Sequence, residues 1–157
     1  RLLITFYLCH QGVLEHPVLY LSEYFKKHRE LYFDLIHNYH SRGEVVEWLD
    51  FFFEGVAEVA KRAVEVARGV NTLREKDIGK IHTFGRQTKV ALDTLKKIYE
   101  LPIVNVRKIE EWTGLSRPAA NSLVRKFVRA GILTQRDKSK TYARQFEHKE
   151  YLILFID

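Results

Sequence analysis

Residues Val106 to Leu133, VRKIEEWTGLSRPAANSLVRKFVRAGIL, constrain the fold more than any other stretch of this chain. Apolar Val106, Ile109 and Trp112 recur at three-residue steps, which is a helical period. Gly114 then ends the helix, since glycine reaches the left-handed C-terminal conformation most cheaply. Ser116 is placed to cap a second helix with its hydroxyl, and Pro118 falls in the first turn, where a missing N–H costs little. Apolar positions resume at Ala119, Ala120, Leu123, Val124, Phe127 and Val128. Gly131 closes the second helix, and Ile132 and Leu133 are expected to begin a strand. Two helices joined by a short glycine turn have the shape of a helix-turn-helix that reads DNA.

The 157 residues suffice for one average domain or two small ones. At 46% hydrophobic, with 10 Phe and 8 Tyr, the chain can bury a core dominated by aromatic side chains. Charge separates along the sequence. Residues 1–80 carry 11 Lys+Arg against 12 Asp+Glu, whereas residues 81–157 carry 15 against 8. The basic excess therefore accompanies the helix-turn-helix and points to a polyanionic partner, DNA first. Cys9 is the only cysteine, which excludes an intrachain disulfide or cysteine–zinc framework and fits a reducing cytoplasm. No apolar run reaches the roughly 18 residues of a membrane span, and the apolar N-terminus RLLITFYLCHQG lacks the small-residue cleavage site of a signal peptide.

The remaining segments predict a mainly α chain. Residues Arg1 to Gln11 read as a helix apolar on nearly every side, ended by Gly12 and expected to be buried. Pro17 bends the connection that follows. Ser22 is placed to cap a helix over Glu23 to His40, broken by Ser41-Arg42-Gly43. A long helix runs from Val46 to about Asp77. Its Leu49, Phe52, Val56, Val59, Ala63, Val66, Val70 and Leu73 alternate steps of three and four. That seam predicts lengthwise packing within the chain's own domain, with a homodimeric coiled coil as the competing expectation. Ile78 to Arg86 reads as a linker, dividing residues 1–80 from 81–157. In the second part, a helix over Val90 to Tyr99, a short strand at Pro102-Ile103-Val104, the helix-turn-helix and a β-hairpin with its tip at Arg136 to Lys140 make a winged helix of three helices and a small hairpin. The returning strand is expected at Thr141 to Phe146; the type of the apolar segment Tyr151 to Ile156 is left open.

Subtracting the apolar positions leaves Arg117, Asn121, Ser122, Arg125, Lys126 and Arg129 for the outer face of the second helix. Arginine reads guanine bidentately, asparagine reads adenine, and lysine mainly meets phosphate. Arg136, Lys138 and Lys140 at the hairpin tip are candidates for phosphate or minor-groove contact. The competing reading is a solvated basic face on a module used for protein contact. His37 and His40 share a helical face, but no acidic residue completes a ligand set, so no metal is expected. No Gly-rich phosphate loop, Ser-His-Asp set or paired catalytic carboxylates can be made out.

The strings RLLITFYLCHQGVLEHPVLYLSEYFKKHRELYFDLI and WLDFFFEGVAEVAKRA resemble the segment that follows the active-site motif in the Fic family. In that family His-x-Phe-x-Asp/Glu-Gly-Asn-Gly-Arg-x-x-Arg is typically followed by Leu-Leu-Ile. Arg1-Leu2-Leu3-Ile4 matches the motif's final arginine and its continuation. Leu19-Tyr20-Leu21-Ser22, Tyr24-Phe25, Arg29 and Tyr32 match a branch that often carries a C-terminal winged helix, although His28 stands where many relatives have Asn. The resemblance implies a Fic-type helical region followed by a winged helix. It implies a parent enzyme that transfers AMP from ATP to a protein hydroxyl with Mg²⁺, in the cytoplasm. Arg1 and, more weakly, Tyr32 are the nucleotide-contacting residues it assigns to this sequence; a helix-start cation and a core aromatic are their ordinary readings. The motif's His, acid, Gly-Asn-Gly and first Arg would lie upstream, so the chain is expected to be a catalytically inactive part of that enzyme, with DNA and a protein substrate as partners. The alternatives are a DNA-binding transcriptional regulator and a winged helix used for protein contact.

Overall fold

A computed structural model describes residues 2–15 and 20–156. Arg1 and the Pro17 bend therefore lie outside the described residues, as does Leu19. The chain is mainly helical, with a small three-stranded antiparallel sheet. It divides into two compact units, residues 1–67 and 68–157. The division falls inside a long helix, not at the sequence-predicted boundary near residue 80. No helix among the described residues is long and apolar enough to cross a membrane.

In the first unit, α1 (Leu2–His10) is followed by α2 (Leu21–Lys27), α3 (Arg29–Arg42) and the start of α4 (Val45–Ile81). Aromatic side chains supply the core, as composition predicts. Leu21, Tyr24, Phe25 and Phe51 are buried, with Tyr32, Trp48 and Phe52 packed against them. Phe25 stacks on Phe51 with ring centroids 5.9 Å apart. Three expectations change here. The helix predicted over Glu23 to His40 is two helices, because His28 leaves helical geometry (φ −107°, ψ 40°). Ser22 lies inside α2 and Tyr20 occupies the N-cap without a side-chain cap bond. The apolar α1 is not enclosed: Leu3, Phe6 and Tyr7 are exposed, and of its described side chains only Thr5 is buried. Nothing in the described chain covers that surface, whatever its composition favours.

In the second unit the C-terminal part of α4 continues into a 3₁₀ segment (His82–Gln87), then α5 (Thr88–Glu100), β1 (Ile103–Asn105), α6 (Val106–Thr113), α7 (Arg117–Arg129), β2 (Thr134–Gln135), β3 (Gln145–Glu147) and α8 (Lys149–Ile153). The expected linker Ile78–Arg86 is instead helix and core, with Ile81 fully buried and Phe84 nearly so. Gly79 is tolerated inside α4, and only Gly85, at φ 64°, departs from helical backbone. The sheet order is β1-β3-β2, with β3 antiparallel to both neighbours. Val104 and Phe146 are buried partners in the β1–β3 register, and α5, α6 and α7 cover them with Leu95, Ile98, Ile109, Leu123 and Phe127. The predicted strand start at Ile132-Leu133 is a buried turn after Gly131 (φ 69°), and pairing begins at Thr134. The returning strand is confined to residues 145–147.

The α4 seam is used within each unit. Phe52, Val56 and Val59 pack against the aromatic core of the first and Leu73 is buried in the second, while Leu49 is exposed.

Candidate nucleic-acid interface

The turn between α6 and α7 forms for the reasons readable in the sequence. Gly114 takes the left-handed conformation (φ 67°) and its N–H closes on the Glu110 carbonyl. Ser116 occupies the N-cap of α7 and Pro118 the first turn, but the Ser116 side chain makes no capping bond. The cap with a hydrogen bond is Asn105, unremarked in the sequence reading, whose Oδ1 accepts from the Lys108 N–H at 2.8 Å.

Helix α7 buries Ala120, Leu123, Val124 and Phe127 and leaves Arg117, Ser122, Arg125 and Arg129 exposed. Two residues assigned to faces by periodicity behave otherwise. Val128 is 38% exposed because its side of α7 borders a groove rather than the core. Lys126 is not a free outer-face cation: its ammonium donates to the Phe84 carbonyl at 2.9 Å and sits 5.8 Å from the Phe84 ring.

The groove lies between α7 and the sheet, has a volume of about 210 Å³, and is lined by Asn121, Val124, Arg125, Val128, Arg129, Gln135, Arg144 and Phe146. Its floor is apolar, and three guanidinium groups belong to its lining. Arg117 and Ser122 lie on α7 but do not line it. Arg144 was missed by sequence reasoning, which stopped at the hairpin tip. The available signal was its position two residues before Phe146, since alternate strand residues share a face. Its guanidinium lies 5.7 Å from the Phe146 ring and donates to Asn121 Oδ1 at 3.3 Å.

That contact changes the reading of Asn121. Its amide nitrogen donates to the Arg117 carbonyl at 3.0 Å while its oxygen accepts from Arg144. Both edges needed for bidentate recognition of adenine are engaged. In this geometry Asn121 positions Arg144.

At the hairpin tip Arg136 pairs with Glu147 (3.1 Å) and Lys140 approaches Asp137 (3.8 Å). Lys138 has no carboxylate partner among the described residues. Hydrogen bonds from the Ser139 hydroxyl and backbone N–H hold the Asp137 carboxyl below its ordinary pKa, so the tip keeps one fixed negative charge among its cations.

Elsewhere in the second unit Asp77 is fully buried at the centre of a polar network. It accepts from His148 Nε2 (2.7 Å), Tyr99 Oη (3.1 Å) and Lys80 Nζ (3.1 Å). Burial alone would raise the Asp77 pKa, but the hydrogen bonds and positive charges of His148 and Lys80 outweigh it and hold it below the ordinary value. Burial and the Asp77 charge push the Tyr99 hydroxyl well above its usual range. The network lies away from the groove lining and joins α4, α5 and the start of α8.

Of the residues assigned to nucleotide, Arg1 is outside the described residues. Tyr32 is half-buried with its ring 5.1 Å from Phe25 and 5.6 Å from Trp48, the surroundings of a core aromatic. No group of three His, Cys, Asp or Glu among the described residues is placed to hold a metal ion, His37 and His40 included. No protein-family model matches the chain.

Proposed function

We propose that residues 68–157 form a winged-helix module that binds duplex DNA through α7 and the β2–β3 hairpin. The observation that carries this reading is the groove in which Arg125, Arg129 and Arg144 stand over an apolar floor between helix and hairpin. The unit's charge supports it: residues 68–157 carry 19 Lys+Arg against 10 Asp+Glu, whereas residues 1–67 carry 7 against 10. Arg117, Arg125 and Arg129 supply base and phosphate contacts from α7, Arg144 and Lys138 supply phosphate contacts from the hairpin, and Asn121 orients Arg144. Anisotropy titration of a labelled duplex over a series of salt concentrations tests this. Log affinity is expected to fall linearly with log salt, and Arg125→Ala to reduce the slope by about 1. Absence of salt-dependent binding to any duplex overturns the reading.

The Fic resemblance favours a second assignment for the first unit, as the C-terminal helices of a protein AMP-transferase. The exposed apolar side chains of α1 support it, because such a surface suits a helix enclosed in a larger helical body. Of the residues that the resemblance assigns to ATP and Mg²⁺, this sequence holds only Arg1 and, more weakly, Tyr32, neither of them the base or the metal-holding acid of the transfer chemistry. The module of residues 68–157 would then place or regulate that enzyme on DNA. Failure of the intact gene product to label any protein hydroxyl with ATP and Mg²⁺ would remove this second assignment and leave the DNA reading standing.

A further inference from the structure

Tyr142 is the most exposed large apolar side chain among the described residues, at 82%. It has no hydrogen-bond or ring partner there, although the surrounding loop is well tied. Gln135 Nε2 donates to the carbonyls of both Asp137 (2.7 Å) and Lys140 (2.8 Å), and the Asp137 carboxylate accepts from Ser139. The tip is thus held from within, and the tyrosine ring takes no part in holding it. Ala143, next in sequence, is the only non-glycine residue with positive φ among those described (48°), a conformation that costs an L-residue energy. Two residues on, Arg144 is anchored on Asn121 and lines the α7 groove; two residues span at most about 7 Å. Over residues 136–144 the loop carries Arg136, Lys138, Lys140 and Arg144 against a single acid, Asp137.

We infer that Tyr142 is a base-stacking residue, and that the hairpin selects DNA containing an unstacked base. The inference rests on the DNA-binding reading and deepens it. A ring left in water beside cations suits a partner that is both anionic and aromatic, and a nucleic acid with an accessible base face is such a partner. An intact duplex hides its base faces, whereas a bulged or unpaired nucleotide presents one beside the phosphates that Lys138, Lys140 and Arg144 attract. The tied tip holds the hairpin ready without ordering on binding.

The test uses the full chain and two labelled duplexes of one sequence, one fully paired and one carrying a single bulged 2-aminopurine nucleotide. The wild type is expected to bind the bulged duplex about tenfold more tightly, within the range of one base–aromatic stack, and to quench the 2-aminopurine emission. Tyr142→Phe should retain both properties. Tyr142→Ala should lose both while keeping its affinity for the paired duplex and its salt slope, because no cation is removed. Circular dichroism confirms that each variant is folded. The inference is overturned if Tyr142→Ala keeps the preference and the quenching, or if the wild type binds both duplexes equally without quenching. Salt-independent or absent binding of the wild type to both duplexes instead overturns the DNA reading, and this inference with it.

Discussion

Replacing Asp77 by Asn tests whether the buried network holds the second unit together. The carboxylate accepts three hydrogen bonds, and the one from His148 is sealed from solvent, with side-chain exposures of 1% and 0%. An asparagine of the same shape can keep its oxygen towards His148 and Tyr99. Both bonds then change from charge-assisted to neutral, a loss of about 1 kcal/mol each. The amide NH₂ would face Lys80, whose side chain is a quarter exposed and can turn to water, adding at most about 1 kcal/mol. Relief of the buried carboxylate's desolvation offsets part of this, so a net loss of about 2 kcal/mol is expected at neutral pH, read by urea denaturation followed by circular dichroism. The pH dependence follows from the depressed Asp77 pKa. Between the folded value and the ordinary unfolded value of about 3.9, the unfolded chain binds more protons. The contribution is therefore complete above about pH 5 and lost as pH falls through the folded pKa. The difference between wild type and Asp77→Asn should shrink on acidification, and other carboxylates cancel in that difference. A difference below about 0.5 kcal/mol at neutral pH, within the ordinary scatter of surface substitutions, or one unchanged between pH 7 and pH 3, would refute the account.

Two further substitutions probe the fold. Gly55→Ala would set a Cβ 2.5 Å from Tyr24 Cδ1, in a ring packed on Phe25, His28 and Phe51. Overpacking of about 1–3 kcal/mol outweighs the helix-propensity gain of about 1 kcal/mol, so urea denaturation should show a net loss, and stabilisation would contradict the packing described. Asn105→Ala removes the cap on Lys108 and should cost about 1 kcal/mol; an unchanged denaturation midpoint would mean that the cap is dispensable.

What could be read from the sequence was what local chemistry decides. The α6–turn–α7 pair follows from a helical period, a glycine that reaches φ 67° and a proline in a first turn, all within one short stretch. The residues missed depend on partners distant in sequence. Asp77, Tyr99 and His148 meet across separations of 22 and 71 residues, and nothing near any of them in sequence announces the other two. The linker reading of Ile78–Arg86 fails because Gly79 sits inside a helix and Ile81 and Phe84 are core. The helix break at His28 carries no proline or glycine, and so gave no local signal.

The candidate interface shows the same limit on a smaller scale. Periodicity separated the buried from the solvent side of α7, and Arg117, Ser122, Arg125 and Arg129 are exposed accordingly. It could not show that the hairpin returns beside that face, because that depends on β3 pairing between β1 and β2. Once Arg144 is placed there, the α7 surface divides by chemical role. Lys126 is hydrogen-bonded to the Phe84 carbonyl, and Asn121 to Arg144 and to the Arg117 carbonyl, so both side chains are held by contacts within the protein. Arg125 and Arg129 remain as exposed cations of the groove lining. Under the proposed DNA reading, an interface built this way would gain most of its affinity from guanidinium–phosphate attraction and little discrimination from Asn121. On that reading, selectivity would come from Arg117, Arg125 or Arg129 on α7, from duplex shape, or from the ring of Tyr142.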